Sequence, residues 1–292
     1  MAREKRPVST LCAACKLVKY CSRECQIAHR PQHKRECKKR ANELHDEKLF
    51  KQPPPDEDCP ICMIRLPTLP KGRVYMACCG KLVCGGCTHA PVYDDKGNRV
   101  DDDKQNECPF CRTVAPKSYE KTIKRLEKRI ELNDPTAIHN MGVYYSHGQF
   151  GLSQNDAKAL ELWHRAGELG HHKSYFNIGG VYNEGRGVEI DKQKALHYWE
   201  LAAMGGDVEA RHNLGAMEGQ AGNMDRALKH FMIAVKDGGS ISLESIKRMH
   251  EAGLSTKDEY TKALQLYQEY LDEVKSDQRD QAAAADDANK YY

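Results

Sequence analysis

Cysteine is absent from the last 181 of the 292 residues, although thirteen cysteines precede that stretch. No run of 18 apolar residues occurs, which excludes a transmembrane helix. The first ten residues, MAREKRPVST, are charged and hold no apolar core, so no secretory signal peptide is expected. Aromatics are scarce at 7%, with two Trp and five Phe, too few for one large aromatic core. Four enzyme signatures are missing: G-x-x-x-x-G-K-[ST], G-x-G-x-x-G after a strand, G-x-S-x-G and H-E-x-x-H. The odd cysteine count cannot be fully paired in intramolecular disulfides. Together these absences predict a chain that is neither secreted nor membrane-bound, in a reducing cytosol or nucleus. There, clustered cysteines read as metal ligands before they read as bridges.

What is present is unevenly spread. Net charge is +3, but residues 1–51 hold 14 Lys/Arg against 6 Asp/Glu, and residues 271–292 hold 3 against 6. The basic run Lys34 to Arg40 reads as a solvated face rather than a nucleic-acid site, because no aromatics interleave it. Pro53, Pro54 and Pro55 cannot continue a helix and mark a stiff linker, placed at 38–58. Ile123, Leu126 and Ile130 at helical spacing predict a connecting helix over 118–132. Asp134 and Pro135 then suit a helix cap and first turn. The tail at 273–292 is acidic and is expected to fray.

Between 134 and 272 the sequence repeats. Asn140-Met-Gly142, Asn177-Ile-Gly179 and Asn213-Leu-Gly215 recur at spacings of 37 and 36. Ala159, Ala195, Ala227 and Ala263 are each followed four residues later by an aromatic: Trp163, Trp199, Phe231 and Tyr267. A period near 36 with two amphipathic helices per unit predicts an α-solenoid. The small residues would let helix backbones approach, with each aromatic filling the gap against the neighbouring unit. His164, His197 and His230 recur in the second helix of successive repeats and read as polar sites there. Gly185-x-Gly187-Val188 followed by Asp191-Lys-Gln-Lys-Ala195-Leu196 resembles the Sel-one-like repeat, a relative of the tetratricopeptide repeat. The third unit has a shorter inter-helix loop, and only the second helix of the fourth is clear.

The span 59–112 carries eight thiols: Cys59, Cys62, Cys78, Cys79, Cys84, Cys87, Cys108 and Cys111. Three C-x2-C pairs in so short a span suit two tetrahedral zinc sites, because that spacing turns both sulfurs onto one ion. The order resembles an all-cysteine RING finger. The cross-brace of that family implies one zinc on Cys59, Cys62, Cys84 and Cys87, and another on Cys78, Cys79, Cys108 and Cys111. Lys81 stands at the usual histidine position, and the adjacent Cys78 and Cys79 complete the set. His89 is a further ligand type nearby, although eight thiols suffice. The resemblance also implies recruitment of a ubiquitin-conjugating enzyme through Ile61 and Pro109, with Arg112 contacting and priming ubiquitin. The stretch after Cys87 has no Trp and carries Pro91 where a short helix is expected.

The span 10–37 reads Cys12-x2-Cys15-x5-Cys21-x3-Cys25-x7-His33-x3-Cys37. It resembles a MYND finger that lacks its first C-x2-C pair, with Arg30 in place of the usual Trp. The family pattern implies a complete zinc site of Cys12, Cys15, His33 and Cys37, and leaves Cys21 and Cys25 as half a site. A single site of Cys12, Cys15, Cys21 and Cys25 remains the alternative. That family docks short proline-containing peptides.

The expected architecture is multidomain: small zinc-stabilised α+β cross-brace fingers, then an all-α solenoid of tetratricopeptide-like helix pairs. Three structural zinc ions are expected, two in the second finger and one in the first. Partners are a ubiquitin-conjugating enzyme and a protein substrate or peptide; membrane and nucleic acid are not expected. Two functions stand: a RING-type ubiquitin ligase that acts by positioning, with no catalytic residue of its own, and a non-catalytic scaffold on the same folds.

Overall fold

The computed structural model describes residues 10–20, 23–53, 57–68, 72–90 and 107–290. The chain divides into two compact units, at 1–51 and 52–292. The first begins with a hairpin of β1 (Thr10–Leu11) and β2 (Lys19–Tyr20), in register Thr10↔Tyr20. The long helix α1 (Arg23–Leu49) follows and contains Pro31. This helix crosses most of the segment read as linker. Polar, helix-favouring residues between Glu36 and Leu49 offer nothing to stop it before the prolines. Beyond it, Gln52 and buried Pro53 already belong to the second unit, and the Gln52 amide donates to Asp237 Oδ2 at 2.7 Å.

The second unit opens with the cysteine-rich finger. Strands β3 (Arg73–Met76) and β4 (Lys81–Cys84) pair antiparallel, from Arg73↔Cys84 to Met76↔Lys81. The short helix α2 (Gly85–His89) follows, its end capped by Cys84, whose sulfur accepts from the Cys87 N–H. The finger core is small: Leu66 and Val83 are buried beside Cys59, Cys84 and Cys87.

Helix α3 (Tyr119–Glu131) forms where the spacing predicts it, capped by Ser118. Four helix pairs then follow: α4 (Pro135–His147) with α5 (Asp156–Glu168), α6 (His172–Glu184) with α7 (Lys192–Met204), α8 (Val208–Gln220) with α9 (Met224–Lys236), and α10 (Ser240–Glu251) with α11 (Lys257–Val274). The fourth pair thus has its first helix after all. It lacks the Asn-x-Gly signature but buries Ile246 and Met249 at helical spacing. Among the described residues, no helix is long and apolar enough to cross a membrane.

The repeated aromatics do pack against the next unit: Trp163 lies in one cluster with Ile178 and Val181 of α6, and Phe231 with Ile246 and Met249 of α10. They also pack closely inside their own units, which was not expected. A Cβ built on Gly142 would lie 2.6 Å from Trp163 Nε1; on Gly179, 2.4 Å from Trp199; on Gly215, 2.6 Å from Phe231. Each Asn-x-Gly is therefore a notch in the first helix that receives the ring of the second. Trp163 Nε1 donates to the His139 carbonyl at 3.2 Å and Trp199 Nε1 to that of Phe176 at 3.3 Å, so each buried indole N–H finds an acceptor. At the fourth unit the period points to Tyr267, yet the fully buried ring is Tyr270. One helical turn along, Tyr270 covers Gly238 and reaches the finger. His230, expected at a polar position, is buried as well.

The acidic tail is structured. Helix α12 (Asp277–Ala285), capped by Ser276, buries Arg279, Ala282 and Ala283. Its alanine run gives a narrow apolar face, and that face and Arg279 pack on the finger and on α11. Fraying was expected from the acidic composition, but the acidic residues Asp277, Asp286 and Asp287 are exposed while Arg279 turns inward.

Candidate functional site: three thiol-rich ligand sets

Three ligand sets come together. Cys12, Cys15, His33 and Cys37 form one; Cys59, Cys62, Cys84 and Cys87 a second; Cys78, Cys79, Cys108 and Cys111 a third. In each, the ligand-type atoms all lie within 4.8 Å of one another. These are the groupings implied by the cross-brace resemblances. Cys21 and the side chain of Cys25 lie outside the described residues, so the incomplete pair is not placed.

The spacing of the sulfurs fits a tetrahedral dication. With Zn–S near 2.3 Å, a tetrahedron sets S···S edges of roughly 3.8 Å, whereas a disulfide needs about 2.05 Å. The observed separations are Cys12–Cys37 3.7 Å, Cys62–Cys84 3.8 Å, Cys79–Cys108 3.9 Å and Cys78–Cys111 3.4 Å. Cys15 Sγ lies 3.1 Å from His33 Nε2.

Three of the four C-x2-C segments share one backbone turn; the fourth, Cys84 to Cys87, runs from β4 into α2 instead. The N–H of the residue after the second cysteine donates to the carbonyl of the first: Lys16 to Cys12, Met63 to Cys59 and Arg112 to Cys108, each at 2.9 Å. Those three residues have φ of 55°, 56° and 61°, in the left-handed region that non-glycine residues rarely enter. The C-x2-C pattern revealed the turn, but no sequence signal marked the strained residue that closes it.

Proton affinity in these sets is split by crowding. The Cys84 side chain, hydrogen-bonded to Cys59, holds the Cys59 thiol down at about 4, and the same contact together with burial pushes Cys84 up. In the third set, Thr113 and neighbouring sulfurs hold Cys111 down at about 6, while burial raises Cys78. In the first set, the Cys15 backbone N–H holds Cys12 down at about 6, and burial pushes Cys37 up to about 11. Four sulfurs at this spacing cannot all ionise unaided. A zinc ion supplies the positive charge that lets them do so.

The other singled-out residues do not join a ligand set. Lys81 lies over the Phe110 ring at 6.0 Å, consistent with its not being a ligand. His89 is in none of the three sets, and burial lowers its pKa. Ile61 and Arg112 are exposed and Pro109 is partly exposed, so all three have accessible surface.

The finger's seat on the solenoid was not anticipated. It lies against the turns that join successive helix pairs. Tyr75 O–H donates to Asp134 Oδ2 at 2.7 Å, on the same carboxylate that caps α4 and binds Arg129. Arg65 pairs with Asp237 at 3.0 Å and with Glu273 at 2.5 Å, its guanidinium 5.4 Å from the centre of the Tyr270 ring. The Thr68 N–H donates to Tyr270 Oη at 3.2 Å. Arg65, Asp237 and Asp134 are ordinary surface residue types, and only the fold shows that they are paired and largely buried.

Comparison with known proteins agrees with the two resemblances at either end. Residues 3–37 match the MYND finger family, and residues 135–171, 172–207 and 248–269 match the Sel1 repeat. The third helix pair, with only Ala221–Asn223 between its helices, falls outside those matches. Among curated relatives, the chain is 29% identical over 106 residues to the "ERAD-associated E3 ubiquitin-protein ligase component HRD3B" of Arabidopsis thaliana, covering 36% of this chain and 16% of that protein. It is 29% identical over 122 residues to "Chitin synthase regulatory factor 3" of Schizosaccharomyces pombe, covering 40% and 13%. The chain thus spans a small part of each relative's length. A solved Sel1 repeat protein from Oxalobacter formigenes aligns with a TM-score of 0.47 at 24% identity, covering 53% of this chain and 66% of that one. The chain therefore carries a MYND zinc finger followed by a solenoid of Sel1 repeats, an assembly of protein-interaction modules.

Proposed function

We propose that this protein is a zinc-dependent ubiquitin ligase of the RING type. In this reading residues 59–112 bind two zinc ions and recruit a ubiquitin-conjugating enzyme through Ile61 and Pro109. Arg112 contacts the ubiquitin that the enzyme carries. The solenoid and the first finger, with one zinc on Cys12, Cys15, His33 and Cys37, hold the protein partner. The observation that carries the reading is the pairing of eight thiols into two interleaved four-sulfur sets beside an accessible Ile61 and Arg112. A relative whose name makes it a component of a ubiquitin ligase supports the same direction. The chemistry needs no nucleophile here: the finger holds another enzyme's thioester in a reactive geometry. A reducing compartment, cytosol or nucleus, suits eleven described cysteines that form no disulfide.

A second reading is favoured by the finger's seat on the solenoid. Arg65, Thr68 and Tyr75 are spent on internal contacts, as in a finger that braces a scaffold. Auto-ubiquitylation across a panel of conjugating enzymes separates the two. The ligase reading expects product with at least one enzyme, and loss of most of it in Ile61→Ala and Arg112→Ala at unchanged zinc content. No product with any enzyme would leave the scaffold, and undiminished product from both variants would overturn the roles given to Ile61 and Arg112.

A further inference from the structure

Helix α12 places a buried arginine against one thiol set. Arg279 is 1% exposed. Its Nη1 donates to the carbonyls of Arg65 at 2.7 Å and Val274 at 2.6 Å. Its Nη2 donates to the Ile64 carbonyl at 3.1 Å and lies 3.8 Å from Cys62 Sγ. Among the described residues it makes no salt bridge to a carboxylate, and its Nε is buried without a hydrogen-bond partner. Carbonyl dipoles solvate a guanidinium but do not neutralise it, and a buried charge with no counter-charge is strongly disfavoured. Four thiolates around a dication leave a net charge of −2, in contact with this side chain.

A second, independent feature ties the same helix to the same set. Helix α2, which carries Cys87, approaches α12 closely. A Cβ on Gly86 would lie 2.9 Å from the Arg279 backbone nitrogen, and one on Gly85 2.8 Å from Asn289 Oδ1. The glycines preceding Cys87 are the space in which α12 and the turn that follows it sit. The knuckle is held from its other side too, since the Ile64 carbonyl accepts both the Cys59 N–H at 2.9 Å and Arg279.

We propose that Arg279 is the counter-charge of the metal-bound set Cys59, Cys62, Cys84 and Cys87, so that metal occupancy there and docking of α12 are one linked equilibrium. Arg279 is a positioning residue. It stabilises the charged, metal-bound form of the set, and without the ion it loses its counter-charge. The C-terminal helix then reports on, and controls, the hold of the finger on its metal. By linkage, whatever draws α12 away weakens that site and leaves the set in the first finger unaffected.

The test uses the zinc-loaded full chain, titrated with a chromogenic zinc chelator, for wild type, Arg279→Met and Arg279→Lys. The expected result is that Arg279→Met releases one zinc at roughly 10–100-fold lower chelator, the usual effect of removing an outer-shell partner, with the other two unchanged. Arg279→Lys falls between, because it keeps the charge without the fork. In wild type, release of that zinc is expected to accelerate hydrogen exchange across 277–285 while α4 to α7 stay protected. This arm, with Arg279→Lys, carries the test if Arg279→Met does not fold. Parallel release of all zinc from Arg279→Met and wild type overturns the proposal, as does a protected 277–285 after metal loss. Elemental analysis showing no zinc on this set overturns it too. A negative ligase assay does not bear on it.

Discussion

The finger at 57–116 and the solenoid it sits on are held together by different physics. The finger buries only Leu66 and Val83 with three cysteines in its core cluster, and its order comes from sulfur sets that need a cation. The solenoid has no such sets. It buries Trp163, Trp199 and Phe231 in glycine notches, one in each of the first three helix pairs. Cohesion in the first is concentrated in two points and can be removed at once. In the second it is spread over nearest neighbours and fails piecemeal.

Metal removal breaks the comparison most directly. Structural zinc contributes on the order of 10–16 kcal/mol per site, more than the described apolar core of the finger offers. Chelation of the full chain should abolish protection across 57–89 and 107–116 in hydrogen exchange, while the helical circular dichroism of 135–236 persists. Simultaneous loss of both would mean the solenoid depends on the finger. Elemental analysis should find three zinc ions per chain.

The next effect belongs to the solenoid alone. Trp163→Ala opens a cavity where the ring filled the Gly142 notch, and should cost about 3–5 kcal/mol in urea unfolding with zinc content unchanged. The complementary change, Gly142→Ala, places a methyl within 2.6 Å of that ring and should cost about 1–3 kcal/mol. If either variant lost zinc, the two kinds of cohesion would not be separable.

The seam between the regions is sharpened by Asp237→Ala. Its carboxylate and Arg65 are 10% and 12% exposed, and stripping one partner from a buried pair costs about 3 kcal/mol. Glu273 retains part of the Arg65 charge, which sets that figure as an upper bound. The measurement is hydrogen exchange at 57–68, which should rise while α4 to α7 remain protected.

The smallest effect is a pH dependence. His139 and His171 stack with centroids 4.2 Å apart, and both Nδ1 atoms meet Ser174 Oγ, at 2.9 and 3.1 Å. Burial holds His139 well below its ordinary value and His171 down at about 4, with Arg73 adding to the second. The unfolded histidines bind protons more readily, so the stability they contribute is present above about 6.5 and is lost as the pH falls from there toward 4. Phe176 occupies the equivalent position in the next repeat. His139→Phe should therefore reduce the loss of thermal stability between pH 7 and pH 5 relative to wild type.

Much of this was legible in the chain. C-x2-C spacing marked each knuckle because two residues are what a backbone turn needs to face both sulfurs to one ion. Asn-x-Gly and the aromatic four residues after each alanine marked the notched helix pairs. Asp134 and Pro135 marked a helix start, and the structure puts it there. What misled was local composition. Residues 38–58 looked like a linker because prolines follow, yet α1 runs to Leu49. Residues 273–292 were expected to fray because they are acidic, yet Ala282, Ala283 and Arg279 face inward.

The sequence by itself determined the local units, because ligand spacing and helical period are properties of neighbours in the chain. Only the tertiary structure decided that the cysteine-rich finger and the helices after Cys111 pack as one unit. Tyr75 meets Asp134, Arg65 meets Asp237, and Arg279 reaches Cys62 across 217 positions. Such pairs carry no periodic signal. Whether an arginine is solvated or buried against sulfur depends on what the rest of the chain brings to it.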